Sequence, residues 1–179
     1  IYLNSSSNNT ITGNTTQGNT NGIYLLSSSN NTLTGNTAQG NTNGIYLLSS
    51  SNNTITGNTA QGNTYGISLD SSSNNTISGN TAQGNGGSGI YLISSSNNTV
   101  SGNKLHDNGG ATDNNGIYID TSDSNTITGN SITDTSCTTT CYAINIFNST
   151  SDTNYLANNT FSTSSGTATI NDAGTGTIY

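Results

Sequence analysis

The residues with chemistry to offer are few, and most fall in two neighbouring segments. Asn103-Lys-Leu-His-Asp-Asn-Gly-Gly-Ala-Thr-Asp113 and Asn130-Ser-Ile-Thr-Asp-Thr-Ser-Cys137 occupy equivalent places in successive repeats. Aligning them sets Asp107 beside Asp134, about 5 Å away if the repeats stack as strands, with His106 and Lys104 close by. Two carboxyls at that separation are what a retaining glycosidase uses. The same pair suits a loosely held Ca²⁺, and loop Asp residues also serve simply as turn formers. An enzyme reading rests on this one corner. The chain has one Lys, no Arg and no Glu, so the base, uronate grip or acid cluster of a polysaccharide lyase or hydrolase has few residues to come from. The expectation is a protein that is not an enzyme and holds no cofactor, a weak Ca²⁺ at the acidic corner excepted.

Cys137 and Cys141 are the only cysteines. A disulfide closing Cys-Thr-Thr-Thr-Cys is expected in an oxidising compartment, with free or metal-bound thiols as the alternative; a metal would need more ligands than the lone His106 supplies. Asn-x-Ser/Thr sequons recur once per repeat at Asn8, Asn30, Asn52, Asn74 and Asn97, with others at Asn4, Asn14, Asn148 and Asn158. They are either glycan acceptors or the by-product of an Asn-Asn-Thr turn.

Two surface arrays also have ligand-like spacing. Tyr2, Tyr24, Tyr46, Tyr91 and Tyr118 form a column broken at Ser68, suited either to stacking on sugar rings or to supporting one another across strands. On this reading the turn residues Tyr65 and Tyr142 add nothing. Thr10/Thr12, Thr32/Thr34, Thr54/Thr56, Thr76/Ser78, Thr99/Ser101 and Thr126/Thr128 form a hydroxyl lattice, about 7 Å along the strand and 4.8 Å between repeats. Such a lattice resembles the ice-binding faces of β-solenoid antifreeze proteins, although Thr is also simply a good outward strand residue.

These columns presuppose a stack, and the repeat supplies it. Gly-Ile-Tyr-Leu elements place coil starts at Ile1, Ile23, Ile45, Ile67, Ile90, Ile117 and Ile144, in steps of 22, 22, 22, 23, 27 and 27 residues. The unit alternates short apolar-polar runs with Ser, Asn and Gly clusters, which parses as three short strands per coil with no helical period. Ile23, Ile45, Ile67, Ile90 and Ile117 are expected to form one interior column. Leu33, Ile55, Ile77, Val100 and Ile127 form a second, and Ala38, Ala60, Ala82, Leu105, Ile132 and Phe161 a third. With only 27% hydrophobic residues the core is narrow, so stacked Asn side chains must supplement it. One such column runs Asn9, Asn31, Asn53, Asn75, Asn98, Asn125 and another Asn14, Asn36, Asn58, Asn80, Asn103, Asn130, Asn159. Gly35, Gly57, Gly79, Gly102 and Gly129 precede the second, at corners expected to need positive φ.

The fold expected is all-β: a right-handed parallel β-helix of about seven coils, one domain over residues 1–179. Repeat coils occupy 1–161, and 162–179 form a C-terminal cap or docking segment. A net charge of −7 excludes nucleic-acid binding, which needs several Lys or Arg. No apolar run reaches membrane-spanning length. Since the chain opens on Ile1 inside a repeat, a processed or excised part of a longer precursor is expected.

The repeat, with Asn-Asn-Thr-Ile-Thr-Gly-Asn-Thr and Gly-Ile-Tyr-Leu over roughly Ile1 to Phe161, resembles the parallel β-helix repeat family of archaeal surface-layer-type proteins. It is also similar to β-helix proteins grouped with the periplasmic NosD copper-maturation family and with carbohydrate-binding proteins and sugar hydrolases. The resemblance implies right-handedness, an extracytoplasmic setting and association with cell-surface polysaccharide. Copper handling does not carry over, since there is no Met and one His. The function expected is a non-enzymatic structural or adhesive solenoid at the cell surface, self-associating end to end. Ice binding on the Thr lattice and glycan binding on the Tyr column are its alternatives.

Overall fold

The computed structural model describes residues 1–109, 114–134, 141–163 and 168–179. Each coil contributes one strand to each of three parallel sheets. Sheet A has eight strands, from Tyr2–Asn4 to Ala168–Asp172. Sheet B has seven, from Thr10–Thr12 to Tyr155–Ala157, and sheet C seven, from Thr15–Gln17 to Thr160–Thr163. The chain winds as a right-handed β-solenoid of about seven coils, and no helix occurs among the described residues. Register follows the repeat: Ile23 pairs with Ile45, Ile45 with Ile67, Ile67 with Ile90 and Ile90 with Ile117. The longer steps are absorbed between strands and leave the pairing intact.

Alternation within each strand sends Ile23, Leu25 and Leu33 into the interior, fully covered, and every later coil repeats them. Each such Leu or Ile contributes about 1.5–3 kcal/mol by leaving water, and the third column grows from Ala38 to Leu105 and Ile132 as expected. Both expected Asn ladders form. In the second, the Asn36 amide nitrogen donates to Asn58 Oδ1 at 2.9 Å and its backbone N–H to the same oxygen at 2.9 Å. A buried Asn of this kind satisfies a side chain and a backbone group of the coil below, which a hydrophobic residue cannot do; the first ladder is interrupted at Asn98, whose Nδ2 has no partner.

Two further ladders went unforeseen. Asn19, Asn41, Asn63, Asn85 and Asn108 stack at the third corner, and Ser28, Ser50, Ser72, Ser95 and Ser122 accept backbone N–H groups one coil apart at the first. The corner glycines have the positive φ expected, 63° at Gly57. The glycine before the core Ile of sheet A has a different duty. A Cβ on Gly44 would sit 2.6 Å from the Gly66 carbonyl and 2.9 Å from Asn63 Nδ2, so these coils close on glycine, and in the strand Cys141–Ile146 Ala143 takes the place. At the C-terminal end Ala168–Asp172 adds the outermost strand of sheet A, and Ile178 bridges to Tyr155. The Asp152 carboxylate there accepts from the Thr175 N–H and hydroxyl, at 2.8 and 2.7 Å.

Candidate functional site

The acidic corner lies at the end of sheet C. His106 pairs with Thr133, and Asp107 turns out of the strand at φ 53°, its N–H bonded to the Thr133 carbonyl. His106 Nδ1 lies 3.7 Å from Asp107 Oδ2, both side chains about one-third exposed. The Asp134 backbone pairs with Thr163. The Asp134 and Cys141 side chains and the whole of Cys137 lie outside the described residues, as do the expected carboxylate pair and disulfide.

The sequon residues Asn8, Asn30, Asn52, Asn74 and Asn97 are exposed turn positions, all near φ 60°. Asn tolerates the left-handed region better than most residues, which by itself accounts for its recurrence there.

The Thr lattice is in register on the outside of sheet B, from Thr10 beside Thr32 to Thr128 beside Ala157. Its members differ in exposure. Thr10, Thr12 and Thr54 are exposed, but Thr34 and Thr56, expected among the surface hydroxyls, are only half-buried positions, as are Thr32, Thr126 and Thr128. The reason is the stack itself. Thr34 is flanked by Thr12 and Thr56, and Thr56 by Thr34 and Ser78, one coil step away on either side, so neighbouring side chains cover their flanks. Thr56 Oγ1 also accepts from Ser78 Oγ at 3.4 Å, which turns part of the lattice toward its own members rather than toward solvent.

Sheet A carries the more chemical face. Its tyrosines lie ring upon ring along the axis: Tyr24 is 5.1 Å from Tyr2 and 5.2 Å from Tyr46, nearly parallel to the latter. Inner rings of such a stack turn edges and hydroxyls outward and cover one another's faces. The column therefore does not offer the continuous stacking strip that its spacing suggests. At Ser68, 5% exposed, the row lacks a ring. Tyr65, which spacing alone places at a turn with nothing to add, packs 4.9 Å from Tyr91 with its ring tilted by 38°. The second stack continues through Tyr118 to Phe147.

A groove of about 450 Å³ opens along this second stack, walled by Tyr65, Tyr91, Tyr118 and Phe147. Its polar lining includes Ser88, Asn115 and Asn145. The Gly86-Gly87-Ser88 segment, responsible for the 23-residue step, forms one wall. A Cβ on Gly87 would lie 2.8 Å from the Tyr65 ring, so glycine is what lets that ring settle. Asn145 Oδ1 accepts from Asn171 Nδ2 at 2.8 Å, whereas Asn115 Oδ1 is buried in the groove lining with no partner.

Beside the aromatic row runs Leu26, Leu48, Asp70, Ile93, Asp120. Burial first, then the Asp70 charge, raises the Tyr46 hydroxyl above the ordinary phenol range. Burial also raises Tyr91, followed by Tyr65, Asp120 and Asp70, so its hydroxyl stays protonated as a donor facing both carboxylates. Thr121 Oγ1 and Asn148 Nδ2 bond to Asp120, and Ser71 Oγ to Asp70. The face thus combines two carboxylates, protonated phenols and one orphan acceptor, a set able to bind hydroxyl-rich ligands and move protons.

Tyr65, Asp70, Asn115, Asp120 and Phe147 were not singled out from the sequence, yet a signal existed. Strands 21–26 and 43–48 both read Asn-Gly-Ile-Tyr-Leu-Leu, while 65–70 reads Tyr-Gly-Ile-Ser-Leu-Asp. All three exchanges fall on the outward face and none on the core residues Ile67 and Leu69.

The family model described as periplasmic copper-binding protein (NosD) matches residues 1–179. No curated protein matches the chain. Among solved structures, the periplasmic alginate epimerase AlgG superposes with a TM-score of 0.72 at 19% identity, covering 99% of this chain and 46% of its own. The mannuronan C-5 epimerase AlgE4 A-module from Azotobacter vinelandii gives 0.68 at 18%, over 94% and 57%. DFA-IIIase from Arthrobacter chlorophenolicus A6 without its lid gives 0.65 at 12%, over 88% and 49%. The chain thus spans about half the length of these chains.

These matches correct the functional expectation. A structural or adhesive solenoid, with ice or passive glycan binding as its alternatives, gives way because the proteins sharing this fold along nearly the whole chain are epimerases and a DFA-IIIase, within a family described as periplasmic. The donors present do not fit the copper of that description. The chain has no Met and one His, and no three His, Cys, Asp or Glu converge among the described residues. Matched over its full length, and folded as the repeat requires, the chain belongs to the NosD family of parallel β-helix proteins.

Proposed function

We propose that the chain is the β-helix of an extracytoplasmic carbohydrate-acting protein, which lays a saccharide along sheet A and transfers protons to and from it through Asp70 and Asp120. The observation that carries this reading is the groove walled by Tyr65, Tyr91, Tyr118 and Phe147 with an unsatisfied amide oxygen in its lining. Aromatic walls with a few placed polar groups are the usual make-up of a small-ligand site. The periplasmic family description and the alginate chemistry of the epimerases sharing the fold support saccharide and compartment alike.

Asp70 and Asp120 stand two coil steps apart in one row, about 9.6 Å between backbones at the usual strand spacing. That backbone separation sits just above the roughly 6.5–9.5 Å that inverting glycosidases keep between their carboxyls. A location at the cell surface, within the extracytoplasmic space, belongs to the same proposal.

The test is turnover of a polysaccharide panel followed by new reducing ends or product sugars. Asp70→Asn and Asp120→Asn should each lower the rate by about 100-fold or more with the β-sheet circular dichroism unchanged. Folded variants that turn over saccharide at the original rate would overturn the proton-transfer assignment.

A further inference from the structure

We infer that the saccharide accepted in the sheet-A groove is an uncharged one, anchored by a hydroxyl donated to Asn115 Oδ1, and that uronate chains are excluded. This rests on the saccharide reading above and narrows it to a substrate class.

The first argument is hydrogen-bond sense. Asn115 Oδ1 is an acceptor with no donor, on a residue 5% exposed that lines the groove. A buried acceptor left unmade is costly, and a ligand hydroxyl at this wall can relieve it as a water would. A sugar hydroxyl donates; an ionised carboxylate only accepts and would meet the amide oxygen acceptor to acceptor. The neighbouring Asn145 oxygen is already taken by Asn171, which leaves Asn115 as the specific anchor of the two.

The second argument is charge. Asp120 stands two residues beyond Tyr118, a groove wall, on the strand Asn114–Asp120, and Asp70 stands on the strand paired with that of Tyr91, so both carboxylates border the ligand space without lining it. Lys104, the one Lys or Arg of the chain, stands on sheet C, and so does His106. A uronate would bring one carboxylate per sugar beside these two, with the one Lys of the chain on another sheet, and the repulsion is strongest where salt is low. A neutral sugar meets no such penalty, and Phe147, 55% exposed at the end of the aromatic row, offers an apolar surface to its C–H face.

The experiment uses the intact chain and its tyrosine emission, free of interference because there is no Trp. Neutral gluco-, manno- and fructo-oligosaccharides are titrated against oligouronates of the same length, at low and at high salt. At least one neutral series should perturb the emission with an affinity indifferent to salt. Oligouronates should bind about tenfold more weakly or worse at low salt, the gap narrowing as salt rises. Asn115→Ala should weaken neutral binding about tenfold, the value of one buried hydrogen bond. The comparison on the unaltered chain stands even if that variant fails to fold. Oligouronates binding as tightly as neutral sugars at low salt would overturn the inference and leave the saccharide site standing. A folded Asn115→Ala with full affinity would overturn the anchor, whereas no response to either class would overturn the saccharide reading itself.

Discussion

Tyr46 feels the Asp70 charge from one coil step away, and the pair exists because Asp70 stands where the preceding coils place Leu26 and Leu48. Its consequence is visible in alkali. Burial and then Asp70 raise Tyr46, burial raises Tyr24 and Tyr91, and burial with the Asp172 carboxylate pushes Tyr179 up to about 12. A phenol raised in the folded state lends stability in full below the unfolded value near 10 and loses it as pH climbs through the folded value. Stability should therefore hold to about pH 10 and fall between 10 and 12. Phenolate absorbance should show Tyr179 ionising late, and Tyr179→Phe should delete that step. Nine tyrosines titrating together as free phenols would contradict this. These pairings were hard to see in the sequence. An exchange such as Leu to Asp reads as noise in a repeat until register shows that Tyr65, Ser68 and Asp70 all face one side.

Each ladder is an element in its own right, and its middle rungs carry most. The Asn58 amide donates to Leu33 O and Asn80 Oδ1, at 2.9 and 3.0 Å, and its Oδ1 receives two bonds from Asn36. Asn58→Ala would strand several buried polar groups at about 1–3 kcal/mol each, so a loss of about 3–5 kcal/mol is expected in denaturant unfolding. Asn14→Ala, at the exposed end of the same ladder, should cost about 1 kcal/mol. Equal losses at the two sites would mean that burial of the rung is not what matters. Two of the three Asn ladders were legible because Asn-Asn-Thr and Thr-Gly-Asn-Thr mark obvious corners. The third was missed although Gly40-Asn41-Thr42 copies the local grammar of Gly35-Asn36-Thr37. The sequence marks Gly44 only as the first residue of Gly-Ile-Tyr-Leu, and the approach of the Gly66 carbonyl shows why glycine stands there.

At the scale of the whole molecule the coil is the module, since sequence-adjacent coils supply nearly all of one another's pairing. Removing Ile23–Gly44, one full 22-residue step, joins Gly22 to Ile45 in register and leaves the groove untouched. Such a chain should fold, be shorter by about 4.8 Å in solution scattering, unfold slightly earlier and keep its saccharide response. Collapse to an unfolded chain would show that stability is not shared coil by coil. The fold was legible because periodic sequence dictates periodic structure; the site was not, because it is built where the period fails. The ladders also have a sense that no single coil reveals. From Asn31 through Asn53 and Asn75, and again from Asn36 through Asn58 and Asn80, every side-chain carbonyl points back toward the preceding coil. These parallel amide dipoles add and polarise one another along the axis, as peptide units do in an α-helix. Each ladder is thereby an electrical vector as well as a mechanical one, negative toward the first coil and positive toward the last, and it runs against the formal charge of the chain, whose eight Asp all lie from Asp70 onward.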